Sequence, residues 1–231
     1  MASITSHHLV AQMLAHTAQR TRPTDTPYAP PALAGDTTTA ISLGSPVELP
    51  PRALADVIKR RRSGNIVQSN IRKEQLAALL SAWHAELPSC LLPDPSFHTL
   101  AFPVALTVDE LPPAVYRYDG ATCRLFHIGP ATPEALRKDI LLQWEHGSAA
   151  ALIFLVVPLS RWLHRCGDRG YRSLALQAGW ITDRLYLIAE ALGLSYTASG
   201  GYAPACADRL LCLDGYHYTA FFSFVVGGAR R

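Results

Sequence analysis

A run of cations ending in a serine, Lys59-Arg60-Arg61-Arg62-Ser63, is the first feature of the sequence that could do chemistry. Arginine presents a fork of N–H donors that matches phosphate oxygens, and the serine hydroxyl adds another donor. The run also follows an amphipathic segment, and cations are favourable at the C-terminal end of a helix dipole. The residues therefore allow an anion site, most naturally for phosphate, or a solvated helix end.

A second feature is the glycine pair Gly200-Gly201. Glycine lets the backbone approach a ligand closely, with N–H groups available to point at it. Most paired glycines are only turns, so this pair predicts either a turn or a backbone donor site.

The composition argues against several classes of protein. The chain has 231 residues, of which 49% are hydrophobic and 17% charged, as expected for a globular protein with a core. A net charge of +3 is too weak to indicate a nucleic-acid partner. The five cysteines are scattered without a CxxC pair, and His7-His8 lacks ligand spacing, so we predict no metal site. No GxGxxG, Walker or GxSxG motif occurs.

Membrane insertion is not predicted. The most apolar run, Ala149–Leu159, is shorter than the roughly 20 residues that span a bilayer and is typical of a buried strand. The N-terminus shows no basic region followed by an apolar one. The odd number of scattered cysteines is typical of reduced thiols, and on that ground we expect a cytoplasmic protein.

One long amphipathic helix must position the glycine pair. The segment Tyr171–Leu192 places apolar residues three or four positions apart, at Leu174, Ala178, Ile181, Leu185, Ile188 and Leu192. Gly193 is a natural stop because it can adopt positive φ. A short strand over Leu194–Ala198 then leads to the glycines.

The remaining elements complete an α+β layout. We predict an N-terminal helix and a Pro/Thr-rich strap over residues 1–50, followed by one domain over 51–231. Within that domain the pattern predicts helices over Pro51–Ser63, Lys73–Glu86, Thr132–His146 and Pro204–Leu213, a hairpin around Asp119-Gly120, and a closing strand over His217–Val226. This order indicates a mainly antiparallel sheet flanked by helices.

Taken in order, several motifs resemble the azoline dehydrogenase branch of the nitroreductase superfamily. They are Arg61-Arg62-Ser63, Val115–Asp119, Gly167–Arg172, Ala178-Gly179, Leu185–Leu187, Ala191–Leu194 and Gly200–Tyr202. The resemblance covers roughly Pro50 to the C-terminus. It implies an α+β homodimer with FMN at the interface.

The resemblance also implies roles for the two features described first. Arg61 and Ser63 match positions that hold the FMN phosphate. Three further candidates for that end are Arg62, Asn65, and either Arg230 or Arg231. Asn65 stands where the motif usually has a second cation.

At the ring end, Ser89 matches a loop that touches the flavin. Gly200 and Gly201 match a turn whose backbone N–H groups face the isoalloxazine near N5. A donor there stabilises the negative charge that develops on the reduced flavin.

The implied reaction is oxidation of a thiazoline or oxazoline ring to a thiazole or oxazole. A base removes the Cα proton, hydride leaves the neighbouring carbon for FMN, and dioxygen reoxidises the flavin. The substrate would be a ribosomal peptide or a carrier-bound peptidyl intermediate. A cyclodehydratase or a peptide synthetase would be the corresponding partner.

The sequence departs from the branch where its catalytic residues are expected. Arg165-Cys166 stands in place of a typical Lys-Tyr pair, and arginine cannot act as a base near neutral pH. Cys166 could, if Arg165 and Arg169 lower its pKa. The other candidate bases are Tyr171 and His164. Two residues of the long helix, Gln177 and Trp180, replace an acidic residue and a histidine.

Three functions therefore remain open: an azoline dehydrogenase with a relocated base, a flavin-dependent desaturase or nitroreductase-like enzyme acting on another substrate, and a catalytically degenerate scaffold for a cyclodehydratase.

Overall fold

The computed structural model describes residues 33, 40–84 and 97–230. The predicted N-terminal helix and most of the predicted strap lie outside these residues, as do Ser89 and Arg231. The described part of the strap contributes a two-residue strand to the edge of the sheet.

One antiparallel sheet forms the centre of the fold. Its strands are β1 (Ile41–Ser42), β2 (Leu100–Ala105), β3 (Ala114–Asp119), β4 (Arg124–Pro130), β5 (Ala151–Val157), β6 (Leu194–Ser199) and β7 (Thr219–Ala229). They lie in the order β1-β4-β3-β2-β5-β7-β6, and all of the paired neighbours run antiparallel. The predicted α+β class with a mainly antiparallel sheet is confirmed. β6, the strand that leads to the glycine pair, is an edge strand.

Helices surround this sheet. They are α1 (Leu54–Arg60), α2 (Lys73–Leu80), α3 (Pro133–Ala135), α4 (Leu159–Cys166), α5 (Asp168–Ala191) and α6 (Pro204–Leu210). Among the helices described, none is both long and apolar enough to cross a bilayer.

The long helix α5 confirms the predicted central helix and starts three residues earlier. Gly167, at φ 55, separates it from α4, a backbone conformation that favours glycine. The predicted apolar stripe packs on the sheet: Leu174, Ala178, Ile181 and Leu185 are buried. Each large aliphatic side chain buried in this way contributes roughly 1.5–3 kcal/mol.

The single helix predicted over Thr132–His146 is wrong. α3 passes into a π-helical turn, Leu136–Ile140, and the chain then becomes extended before a 3₁₀ turn at Trp144–Ser148. The interruption has a tertiary cause: Leu141 bridges to Tyr202, and the Leu142 N–H donates to the Gly201 carbonyl at 3.0 Å. These contacts hold the chain beside the glycine pair.

Candidate functional site

The segment that carries the basic cluster is fixed to the edge strand of the sheet. α1 ends at Arg60, and residues 61–69 then pass over β6. The Gly64 N–H donates to the Tyr196 carbonyl at 3.2 Å, and the Val67 N–H donates to the Ser195 hydroxyl at 2.8 Å. The cluster is therefore held on the strand that ends at the glycine pair.

Close approach of two backbones makes this crossing possible. The Gly228 N–H donates to the Val67 carbonyl at 3.0 Å. A Cβ atom on Gly227 would lie 2.4 Å from the same carbonyl oxygen, so any side chain there would push the segment away. The glycines near the end of β7 therefore help to seat the basic segment.

A hydroxyl pair links the basic segment to α5. The Ser63 Oγ lies 2.6 Å from the Tyr186 Oη, which also accepts the Ala198 N–H at 3.0 Å. The Arg61 guanidinium lies over the Tyr186 ring, 5.3 Å from its centroid. Tyr186, a buried residue whose role the sequence patterns did not predict, thus contacts both the predicted phosphate motif and β6.

The cations of the cluster are only loosely neutralised. The Arg61 Nε lies 4.0 Å from an Asp183 carboxylate oxygen, and both side chains are substantially exposed, so this pair contributes little energy. Arg62 is exposed. Positive charge is therefore available to an anion beside the C-terminal half of β6.

Arg230, in contrast, is already paired. Its Nη1 lies 3.0 Å from the Glu190 carboxylate, which also accepts the Tyr196 hydroxyl at 2.7 Å. The Arg230 guanidinium lies over the Tyr196 ring, 4.2 Å from its centroid. Arg230 thus neutralises a buried carboxylate behind the basic segment.

In the glycine pair that follows β6, the two N–H groups differ. The Gly201 N–H donates to the Ser199 Oγ at 2.9 Å, and that hydroxyl donates to the Gln143 Oε1 at 2.8 Å. The Gly200 N–H meets no acceptor within residues 40–84 and 97–230. Of the two donors predicted to face a ligand, the Gly200 N–H is the one left available.

Two open clefts meet at the contact between Ser63 and Tyr186. The polar cleft, of about 570 Å³, is lined by Ser63, Asn65, Ile66, Gln143, His146 and Thr197. The apolar cleft, of about 400 Å³, is lined by Arg61, Ala178, Gly179, Thr182, Tyr186 and Phe222.

Each cleft is lined by one residue that lies close to the glycine turn. In the polar cleft, the Gln143 amide oxygen would lie 3.1 Å from a Cβ atom on Gly201. In the apolar cleft, the Phe222 ring would lie 3.5 Å from a Cβ atom on Gly200. Arg61 and Asn65 line different clefts, and each cleft has one lining residue that lies close to the glycine pair.

Solved structures with this arrangement of strands and helices carry nitroreductase names. A protein of Anabaena variabilis classed as a nitroreductase superposes with a TM-score of 0.77 at 22% identity, over 100% of this chain and 49% of that chain. The chain has the nitroreductase fold. The present chain therefore spans about half the length of the Anabaena chain.

Two other solved structures share this fold. The Escherichia coli microcin synthetase McbBCD complex, solved with truncated pro-MccB17 bound, superposes with a TM-score of 0.61 at 15% identity, over 100% of this chain and 84% of that chain. A Desulfovibrio desulfuricans protein classed as a nitroreductase, solved with FMN, gives 0.50 at 13% identity, over 79% and 89%. No family model and no curated protein sequence matches the chain.

The predicted catalytic residues lie at the α4–α5 junction of this nitroreductase fold. Burial raises the pKa of the Cys166 thiol, and the charges of Arg165 and Arg169 lower it by less. The lowered pKa that would make Cys166 a ready base is therefore not found. Cys166 packs in the same apolar cluster as Phe221, a residue that lines the apolar cleft.

Tyr171 lies beside the apolar cleft, because it contacts Phe221, a residue of the cleft wall. Its side chain is half exposed, and its ring contacts Phe221 edge-on with centroids 5.4 Å apart. Gln177, in contrast, is fully buried and accepts the Thr99 N–H at 2.6 Å and the Thr99 hydroxyl, which ties α5 to the start of β2. Trp180, one turn further along α5, is partly exposed.

His146 is a candidate base that the sequence patterns missed. It is buried in the wall of the polar cleft, and its Nδ1 has no hydrogen-bond partner in the described part of the chain. Burial lowers its pKa, and Glu145 raises it by less, which favours the neutral imidazole. The sequence patterns missed His146 because they placed it at the end of a helix, whereas it lies in the 3₁₀ turn Trp144–Ser148. Within the described residues, no group of three or more His, Cys, Asp or Glu could hold a metal ion.

Proposed function

We propose that the chain binds FMN and oxidises an azoline ring of a peptidyl substrate. The observation that carries the proposal is that the basic segment and the glycine turn lie near each other along β6. Ser63 contacts Tyr186, whose Oη accepts the Ala198 N–H, and Gly200 follows two residues later.

The phosphate end fits an anionic group. Arg61 and Arg62 supply guanidinium donors, and the Ser63 hydroxyl is held at the surface by its contact with Tyr186. Charge-assisted hydrogen bonds of this kind are about twice as strong as neutral ones. Asn65, in the polar cleft, offers an amide rather than a second cation. Ser89 and Arg231 remain proposed contributors from outside the described residues.

The ring end fits a flavin edge. The Gly200 N–H points at no protein acceptor in the described residues, and a donor at this position favours negative charge next to it. Bound FMN would supply the two-electron redox chemistry. The chain would fix its orientation, exclude water through the Phe221 and Phe222 rings, and supply a base.

Support for an azoline substrate comes from the resemblance of the motifs and from the similar fold in a microcin synthetase complex solved with a truncated precursor. Oxidation of an azoline removes a proton from Cα and a hydride from the adjacent carbon. Tyr171 and Cys166, beside the apolar cleft, and His146, in the polar cleft, are the groups placed to take the proton. Arg165 is proposed to influence Cys166 through its charge.

Replacing Cys166 with alanine tests the first of these bases. Because burial raises the pKa of this thiol, we expect the variant to retain turnover within about threefold and to keep its flavin. The measurement is the rate of azoline oxidation at matched flavin content. A hundredfold or greater fall in this rate would identify Cys166 as the base. His146→Ala tests the candidate base in the polar cleft by the same measurement.

The experiment for the proposed function starts from the visible spectrum of the purified protein. We expect oxidised-flavin bands, either as purified or after reconstitution with FMN. A peptide carrying a thiazoline should then lose two hydrogen atoms per ring, as measured by mass spectrometry. Protein that binds FMN but leaves azolines unchanged would favour another substrate for the flavin enzyme.

A scaffold role for a cyclodehydratase is the second candidate. The commitment of Arg230 to Glu190 and the nearby Asp183 carboxylate reduce the charge available to a phosphate. Protein that remains colourless after incubation with FMN, yet co-purifies with a cyclodehydratase, would support this role instead.

A second copy of the chain is proposed to complete the site. α1 lies against α5, and both helices expose large apolar side chains: Leu54, Ile58, Leu176 and Trp180. We infer that these side chains contact a second copy of the chain, because large exposed apolar areas are typical of protein interfaces. The similar Anabaena chain, of which this chain spans 49%, has the length for two such folds.

Replacing both Leu176 and Trp180 with glutamate tests this interface. We expect the mass measured by light scattering to fall from that of two chains to that of one, because charge would be buried at the interface. Tyr216→Glu, at an exposed aromatic residue after α6, is the matched control and should leave the mass unchanged. A wild-type protein with the mass of one chain would contradict the proposal.

A further inference from the structure

We propose that Tyr186 is a positioning residue that turns the Ser63 hydroxyl into a donor for the FMN phosphate. The inference rests on the proposed function. It concerns a residue on the central helix that lies outside the phosphate motif itself.

The hydrogen bonds around the Tyr186 hydroxyl determine where protons point. The Ala198 N–H must donate to the Tyr186 Oη, because an amide N–H is only a donor. The Oη then donates its own hydrogen most naturally to the Ser63 Oγ, 2.6 Å away, because a phenol is a stronger donor than an alcohol. With its oxygen acting as acceptor, the Ser63 hydroxyl has its hydrogen available for another group.

The outer surface of the segment is the place where that hydrogen can be used. Ser63 is exposed and lines the polar cleft, next to Arg62. A chain of bonds then runs from the Ala198 N–H through the Tyr186 and Ser63 hydroxyls to a bound anion. Each bond in such a chain polarises the next, which strengthens the last donor.

The Tyr186 ring is held in place independently of its hydroxyl. It packs edge-on against Tyr196 and Phe224, with centroids 5.1 and 5.4 Å away. Tyr186→Phe should therefore keep the ring, the wall of the apolar cleft and the position of Arg61 above it. The substitution isolates the effect of the hydroxyl.

The test compares FMN with riboflavin, which has the same ring without the phosphate. For Tyr186→Phe we expect FMN to bind about tenfold more weakly than to the wild type, with riboflavin affinity unchanged. Titrations followed by flavin fluorescence measure both constants. Retained riboflavin binding also shows that the variant is folded, although the Ala198 N–H has lost its acceptor.

Two further variants sharpen the result. In a Ser63→Ala background, Tyr186→Phe should cause little additional loss of FMN affinity, because both changes break the same chain of bonds. Tyr116→Phe is the control, because it removes another tyrosine hydroxyl that lines neither cleft. That hydroxyl donates to the Pro112 carbonyl, 2.7 Å from it, and its removal should leave both flavin affinities unchanged.

The outcomes separate this inference from the function on which it rests. If wild-type protein binds FMN but Tyr186→Phe binds it equally well, the positioning role is wrong and the proposed function stands. Equal losses for FMN and riboflavin would also overturn the role, since they would show a general effect on the ring site. Wild-type protein that binds neither flavin overturns both.

Discussion

Replacing Glu190 with alanine is expected to lower the free energy of unfolding by about 3 kcal/mol. The Glu190 side chain is 9% exposed, pairs with Arg230 at 3.0 Å and accepts the Tyr196 hydroxyl at 2.7 Å. Its removal leaves a partly buried cation and a buried hydroxyl without their acceptor. Because Arg230 is 28% exposed, the effect should fall at the lower end of the range for breaking a buried pair.

Chemical denaturation measures this loss. The slope of unfolding free energy against denaturant concentration should be the same in variant and wild type, as two-state unfolding requires. Glu190→Gln should lose less, because the amide oxygen still accepts the Tyr196 hydroxyl. Glu48→Ala, at an exposed position, is the control and should stay within about 0.5 kcal/mol of the wild type. Similar midpoints for the Glu190 and Glu48 variants would show that the pair does not stabilise the fold.

The second large effect concerns Arg61, for which the alanine variant should bind FMN more weakly by about 1.5–3 kcal/mol. The guanidinium lies at the end of α1 over the Tyr186 ring. Within the described residues, its one carboxylate contact is with Asp183, at 4.0 Å. That exposed pair is too weak to withdraw the charge from a phosphate. The measurement is an FMN titration, repeated with riboflavin.

Two comparisons make the Arg61 result specific. Asp183→Asn removes the competing carboxylate and should leave FMN affinity unchanged or tighter. Arg124→Ala removes an exposed arginine from β4, which lies next to the edge of the sheet opposite β6. This variant should leave FMN affinity unchanged. If Arg61→Ala and Arg124→Ala bind FMN equally well, Arg61 does not hold the phosphate.

Local pattern was sufficient to predict the elements that lead to the site. The apolar spacing in α5 predicted its buried face, and the glycine after it predicted its end, because both depend on residues that are close in sequence. The basic cluster and the glycine pair were likewise recognisable, and in the structure the first lies beside β6 and the second follows it.

Long-range contacts were not predictable in the same way. The segment over Thr132–His146 has helical spacing, yet its bridge to Tyr202 breaks the helix and moves Gln143 and His146 into the polar cleft. Arg230 looked like a phosphate ligand, but its partner Glu190 lies on another element. The bond from the Gly201 N–H to the Ser199 hydroxyl is different, because it is a local serine turn between residues two apart, which the sequence interpretation overlooked.

The central claim is that a flavin is held by its phosphate at Arg61, Arg62 and Ser63 and by its ring at the Gly200 turn. The most direct test is a calorimetric titration of the wild-type protein with FMN and, separately, with riboflavin. The account predicts one FMN per chain, bound at least about 100-fold more tightly than riboflavin, as two or more charge-assisted hydrogen bonds would give. Equal affinity for the two flavins, or no binding of either, would contradict it.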